Sequence, residues 1–194
     1  MAAAQPDADS WAAATQAYQA ELIRHQIETV RRLKYRPAGG FCLTALADAE
    51  RGGGFGVYDI DRTPKRAHES LVDATRPVVV IADRPPATSA RGSTLELDVH
   101  VVSDLREPLG DATIRATALL SGGRPVAERR WTGAVAADDV AFIGTWSIAL
   151  PDETGTVTLD LELEAGSTVT TNRYRTVLVA PDEIPSRRRR SRRS

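Results

Sequence analysis

Residues 95–101, LELDVHV, and residues 157–163, VTLDLEL, alternate apolar and polar side chains with a period of two. Successive side chains of a strand point to opposite faces, so Leu95, Leu97, Val99 and Val101 share a buried side while Glu96, Asp98 and His100 face water. Val157, Leu159, Leu161 and Leu163 repeat the pattern against Thr158, Asp160 and Glu162, as do Ile114, Ala116 and Ala118 against Arg115 and Thr117. With further strands expected over residues 78–81, 126–135, 140–150 and 173–179, the count is about seven in about a hundred residues, the size of an immunoglobulin-like sandwich. No helical periodicity follows Pro77.

Upstream the texture differs. Residues 11–34 contain neither Pro nor Gly, and Asp9 or Ser10 is placed to cap a long helix. Tyr18, Leu22, Ile27, Val30 and Leu33, widened by Ile23, form its apolar stripe, with Arg24, Glu28, Arg31 and Arg32 outside it. Arg31, Arg32, Lys34 and Arg36 suit the carbonyl end, and Pro37, Gly39 and Gly40 stop the helix. Residues 41–47, FCLTALA, are apolar on both faces apart from Thr44, the pattern of a parallel strand covered on both sides. A loop with three glycines at 52–54 and a short extended piece over 57–60 follow; Thr63 and Pro64 then open a second helix to about residue 75, with Ala67, Leu71 and Ala74 inward.

The expected fold class is therefore mixed. A partial α/β helix-strand-helix piece occupies residues 1–77, an all-β sandwich residues 78–182, and an arginine-rich tail expected to be disordered residues 183–194. The first piece is too short to close a core of its own.

At 194 residues, 42% hydrophobic and 26% charged, the chain should be globular. Its net charge of -1 conceals six arginines at 187–190, 192 and 193, which leave the body acidic. That tail lacks the interleaved aromatics of a nucleic-acid module, which argues against a nucleic-acid partner. The single cysteine, Cys42, excludes an internal disulfide and a multi-cysteine metal site, and between Phe41 and Leu43 it reads as a small buried hydrophobe. His25, His68 and His100 fall on two helices and a wet strand face without metal-ligand spacing, and read as solvated. Neither glycine cluster, 52–54 or 122–123, has the spacing of a phosphate loop. No metal and no cofactor is expected. No apolar stretch is long enough for a membrane span and no export signal is visible, so a cytoplasmic location is expected. Trp131 and Trp146 lie in expected strands, as core residues or as a platform for a sugar ring.

Residues 18–48, YQAELIRHQIETVRRLKYRPAGGFCLTALAD, and residues 55–78, FGVYDIDRTPKRAHESLVDATRPV, together resemble the last barrel segment of glycoside hydrolase family 2, especially its β-mannosidase-like members. The resemblance makes Gly40 through Asp48 the eighth barrel strand, with Leu46 and Asp48 matching the family pattern. It sets Phe55, Asp59 and Lys65 on a tryptophan, aspartate and lysine pattern that opens the final helix. Thr44, Ala45 and Ala47 depart from that pattern where the family has tryptophan, glutamine and asparagine. The resemblance also implies immunoglobulin-like domains after the barrel and a carbohydrate partner held through barrel strands upstream of this segment.

Retaining glycosidases of this kind use two carboxyl groups about 5 to 5.5 Å apart. In barrels these sit at the C-terminal strand ends. The family's two glutamates precede the eighth strand, so no catalytic residue is assigned here. Asp48, Phe55 and Asp59 are the residues expected on a substrate-side loop, though both aspartates read more readily as turn formers or ion-pair partners. Apolar faces normally covered by neighbouring barrel units should promote self-association.

Overall fold

The computed structural model describes residues 6–51 and 53–184. Of the tail expected to be disordered over 183–194, Glu183 instead ends a 3-10 turn, and residues 185–194 fall outside the described residues. Helix α1 spans Ala8–Arg32. Its cap is Asp7 rather than Asp9 or Ser10: the Asp7 carboxylate accepts from the Ser10 N–H at 2.7 Å, the three-residue reach that capping geometry requires. Asp9 lies within the first turn, where its negative charge favours the helix dipole.

The buried side of α1 also differs from the expected stripe. Ile27 is covered, but so are Glu28 and Arg31, whereas Tyr18 and Leu33 are 61% and 44% exposed. Arg31 is tolerated inside because its N–H groups reach the carbonyls of Ala74 and Arg76 at 2.7 and 2.8 Å and the Asp104 carboxylate at 2.7 Å. Apolar periodicity ignores such polar anchoring.

Residues 41–47 form no strand. Their one ladder contact is an isolated parallel bridge between Ala47 and Tyr58, and Phe41, Cys42 and Leu46 are exposed. A parallel strand needs hydrogen-bonding neighbours at its sides, and no described strand lies alongside this segment, so the expected helix-strand-helix piece is helix, irregular chain, helix. Helix α2 spans Arg66–Ala74, starting after Thr63 and Pro64 rather than at them. Thr63 is instead closed into a turn with Asp59. Ala67, Ser70 and Ala74 are its buried residues.

The described residues from Val78 onward form strands and turns: β1 (Val78–Ala82), β2 (Thr88–Ala90), β3 (Thr94–Ser103), β4 (Leu109–Leu120), β5 (Arg124–Val135), β6 (Val140–Ala149), β7 (Gly155–Ala165) and β8 (Thr168–Val179), then a 3-10 turn at Pro181–Glu183. They form a three-stranded sheet, β1-β3-β6, and a five-stranded sheet, β2-β8-β7-β4-β5, as in a β-sandwich. The short strand β2 is not foreshadowed in the sequence; its residues Thr-Ser-Ala have no alternation to read, and it pairs parallel with β8.

Register confirms the alternation that the sequence shows. Ile114, Ala116, Ala118 and Leu120 of β4 face Leu163, Leu161, Leu159 and Val157 of β7, all buried, while Arg115 opposes Glu162. On the wet side of β7, Asp160 opposes Arg173 of β8 and pairs with it at 2.5 Å.

The chain divides into two compact units. The first is drawn from Met1–Ile81, His100–Leu109 and Val135–Ala141, with Val79, Ile81 and Val102 as an apolar cluster against which Val140 packs. The second, Ala82–Val99, Gly110–Ala134 and Phe142–Ser194, holds most of the sandwich core, including Trp146 at 2% exposure. Among the described residues no helix is long and apolar enough to cross a membrane.

Candidate functional site

The three residues expected on a substrate-side loop lie in one tightly tied segment of the first unit. Residues 46–65 fold back on themselves through backbone bonds: Val57 and Tyr58 both donate to the Leu46 carbonyl, Asp48 donates to Tyr58, and Lys65 donates to Val57. Val57 anchors the segment with no exposed surface. Gly56 is required by close approach, since a β-carbon there would lie 2.5 Å from the Ala47 carbonyl carbon.

Asp48 is the pin of this loop. One carboxylate oxygen accepts the Gly56 N–H at 2.8 Å and the other accepts the Lys65 ammonium at 2.9 Å. Lys65 also reaches the Gly54 carbonyl at 3.2 Å. The Asp48 and Lys65 side chains are only 6% and 9% exposed, so the pair is buried and charge-assisted. Asp59 acts differently, through its Oδ1, which accepts the Thr63 N–H at 2.8 Å and closes the turn in which Arg62 takes a left-handed φ of 65°.

Phe55 is displayed outward, 87% exposed, while its carbonyl and that of Gly56 accept from Gln19 Nε2 of α1, each at 3.1 Å. The segment therefore presents an aromatic ring on a frame to which both aspartates contribute bonds. Each Asp48 oxygen thus carries a structural bond, and the side chain is almost wholly covered.

The family pattern includes both Asp48 and Lys65 but gives no sign that they touch. A 17-residue separation across irregular chain carries no periodicity from which such a contact could be read. His68, expected to be solvated, is half-buried: its Nε2 lies 2.9 Å from the Tyr58 hydroxyl and the two rings are 4.8 Å apart. Cys42, expected to be buried in a strand, is exposed: its segment is irregular and no described strand lies alongside it. Trp146 is core; Trp131 is half-buried, with the Arg129 guanidinium 5.8 Å from its ring. Among the described residues no group of three or more His, Cys, Asp or Glu side chains is placed to hold a metal ion.

No protein-family model matches the chain. A curated relative does: Beta-mannosidase A of Aspergillus terreus is 30% identical over 158 residues, an alignment covering 76% of this chain and 16% of the relative. The chain belongs with the C-terminal portions of glycoside hydrolase family 2. Parts of two solved structures share its fold. The Beta-D-Mannosidase of Dictyoglomus thermophilum matches with a TM-score of 0.74 at 16% identity, covering 94% of this chain and 21% of that one. The exo-chitosanase CsxA of Amycolatopsis orientalis matches with a TM-score of 0.70 at 17% identity, covering 89% and 20%. This family 2 portion thus spans about a fifth or less of the length of the relatives it matches.

Proposed function

We propose that this chain is a supporting part of a family 2-like glycoside hydrolase: residues 1–77 complete the end of a catalytic barrel, residues 78–182 form an immunoglobulin-like brace, and residues 183–194 are a basic tail. On this reading the full enzyme hydrolyses O-glycosyl bonds, binds carbohydrate through its barrel and works in the cytoplasm. The chain lacks the catalytic glutamate pair and is inactive alone. The observation that supports the reading is the pair of bonds from Lys65 and Gly56 to Asp48, through which the loop serves as a frame for Phe55. Exposed Trp11, Tyr18, Phe41, Leu46 and Phe55 support the further expectation that the isolated chain self-associates.

The test is turnover by the purified chain on aryl β-mannoside, β-galactoside and β-glucuronide. The expected rate equals that of buffer on all three. Hydrolysis above that background, lost in Asp48→Asn, would refute the supporting role.

Half-buried Trp131 beside Arg129 favours a second reading, a free-standing β-sandwich that is a carbohydrate-binding or structural module. Quenching of tryptophan fluorescence by oligosaccharides, abolished in Trp131→Phe, would support it over the first.

A further inference from the structure

A cavity of about 290 Å³ opens at the C-terminal end of α1 within the first unit and shares no residue with the Asp48 loop. Its walls include Lys34, Tyr35, Gly39, Phe41, Asp104 and Asp138. The cations of this cluster are already spent. Lys34 Nζ donates to the Ser103 carbonyl at 2.9 Å, to Asp104 Oδ1 at 2.7 Å and to Asp138 Oδ1 at 2.5 Å, which uses all three of its protons. Arg31 is held by carbonyls on one side and Asp104 Oδ2 on the other.

The two carboxylates are left with spare capacity. Asp104 and Asp138 are 46% and 51% exposed at their side chains, and each oxygen retains a lone pair beyond the bond it accepts. Tyr35 donates its hydroxyl to Asp138 Oδ2 at 3.0 Å, which fixes the ring at the rim with 63% of its surface exposed, and Phe41 is 43% exposed. Two positive and two negative side chains sum to zero, so the cavity has no net attraction for an anion or a cation. Its surface combines aromatic faces with unfilled hydrogen-bond acceptors on a preformed frame, and its volume lies near the lower end of the range for small-ligand sites, roughly 300 Å³.

A ligand that matches this surface is neutral, about one ring in size, carries an apolar C–H face and donates several hydroxyl protons. We propose that this cavity binds one pyranose unit of a neutral saccharide, with Phe41 and Tyr35 against its C–H face and Asp104 and Asp138 accepting its hydroxyls. The site is separate from bond cleavage, so the turnover assay above and the binding assay below can fail independently.

The test is a titration of the full ¹⁵N-labelled chain with methyl β-D-mannopyranoside and methyl β-D-glucopyranoside, read from amide shifts. Saturable shifts at Gly39, Gly40 and Phe41 with millimolar dissociation constants are expected for at least one of them. Phe41→Ala should weaken that binding by about tenfold, a loss on the scale of one aromatic contact. Gly39→Leu supplies a second variant: Gly39 lines the cavity, a β-carbon there meets nothing within 4 Å and the backbone φ is ordinary, so the protein should fold with an isobutyl group added at the cavity wall, and the shifts should be abolished. Glucosamine, cationic at neutral pH, should bind no tighter than the neutral glycosides. Absence of shifts at these amides, shifts that survive both variants, or tenfold preference for glucosamine would each overturn the proposal.

Discussion

Trp146 and Phe55 show how differently the two regions of this chain treat an aromatic side chain. The first is 2% exposed among alternating strands, the second 87% exposed on a loop held by polar bonds. In the sandwich, side chains two residues apart fall on the same face, and cross-strand partners such as Ala116 and Leu161 cover one another. Burial follows from the pattern itself. In residues 33–66 buried apolar anchors are sparse, Val57 being the fullest, and order comes from the Asp48–Lys65 pair, the Asp59 turn and the Lys34 cluster. Such order is specific in geometry yet supplies little of the area-dependent stabilisation that a core provides.

Three substitutions and one change of pH should distinguish the two regions. Trp146→Ala should destabilise the sandwich by about 3–5 kcal/mol, since it removes a fully covered ring and leaves a cavity; urea denaturation measures it. Asp48→Ala should cost about 3 kcal/mol by leaving the Lys65 ammonium buried without its partner, and Asp48→Ala combined with Lys65→Met should recover much of that loss in the same assay. Gly144→Ala should cost about 1–3 kcal/mol, because the residue sits at φ 150° and its β-carbon would come within 2.8 Å of Trp131 Nε1.

The fourth is a pH dependence of smaller size. Hydrogen bonds from Lys34 and Tyr35 hold the Asp138 carboxyl below its ordinary range. Its contribution is therefore present above the ordinary carboxylate pKa and lost as pH falls through the lowered one. Burial disfavours the Lys34 ammonium, but its bonds to Asp104 and Asp138 outweigh that and raise it. The contribution of Lys34 is present below the ordinary lysine pKa and lost as pH rises through the raised one. The cluster should then contribute fully between about pH 4 and pH 10 and fade outside that window. Melting temperatures of wild type and Lys34→Met should differ most inside it and converge beyond its edges.

The same contrast explains what could be read from the sequence. Strands β3, β4 and β7 announce themselves through period-two alternation, a local signal that survives without knowledge of any partner. The three-residue β2 has too few positions to carry that signal. Residues 41–47 carry the signal of a doubly covered strand, but that structure depends on neighbouring strands, and without them the segment stays irregular with Phe41 and Leu46 outward. Arg31 and Glu28 fall outside the apolar stripe of α1, yet they are buried. For Arg31 the reason is its set of partners at Ala74, Arg76 and Asp104, up to 73 residues away in sequence. At the candidate site Asp48, Phe55 and Asp59 are visible as motif positions, whereas the contact between Asp48 and Lys65 is not.

Residue-resolved native-state hydrogen exchange tests the central contrast most directly, because it reports the opening free energy of each segment separately. Amides of β4 and β7 should exchange only with global unfolding, while those of Gly56, Val57 and Tyr58 should open locally at lower free energy and open further in Asp48→Asn. Protection of Gly56 through Tyr58 equal to that of β7, unchanged by Asp48→Asn, would contradict the account: the first region would then possess a core of its own, and Asp48 would be free for another role.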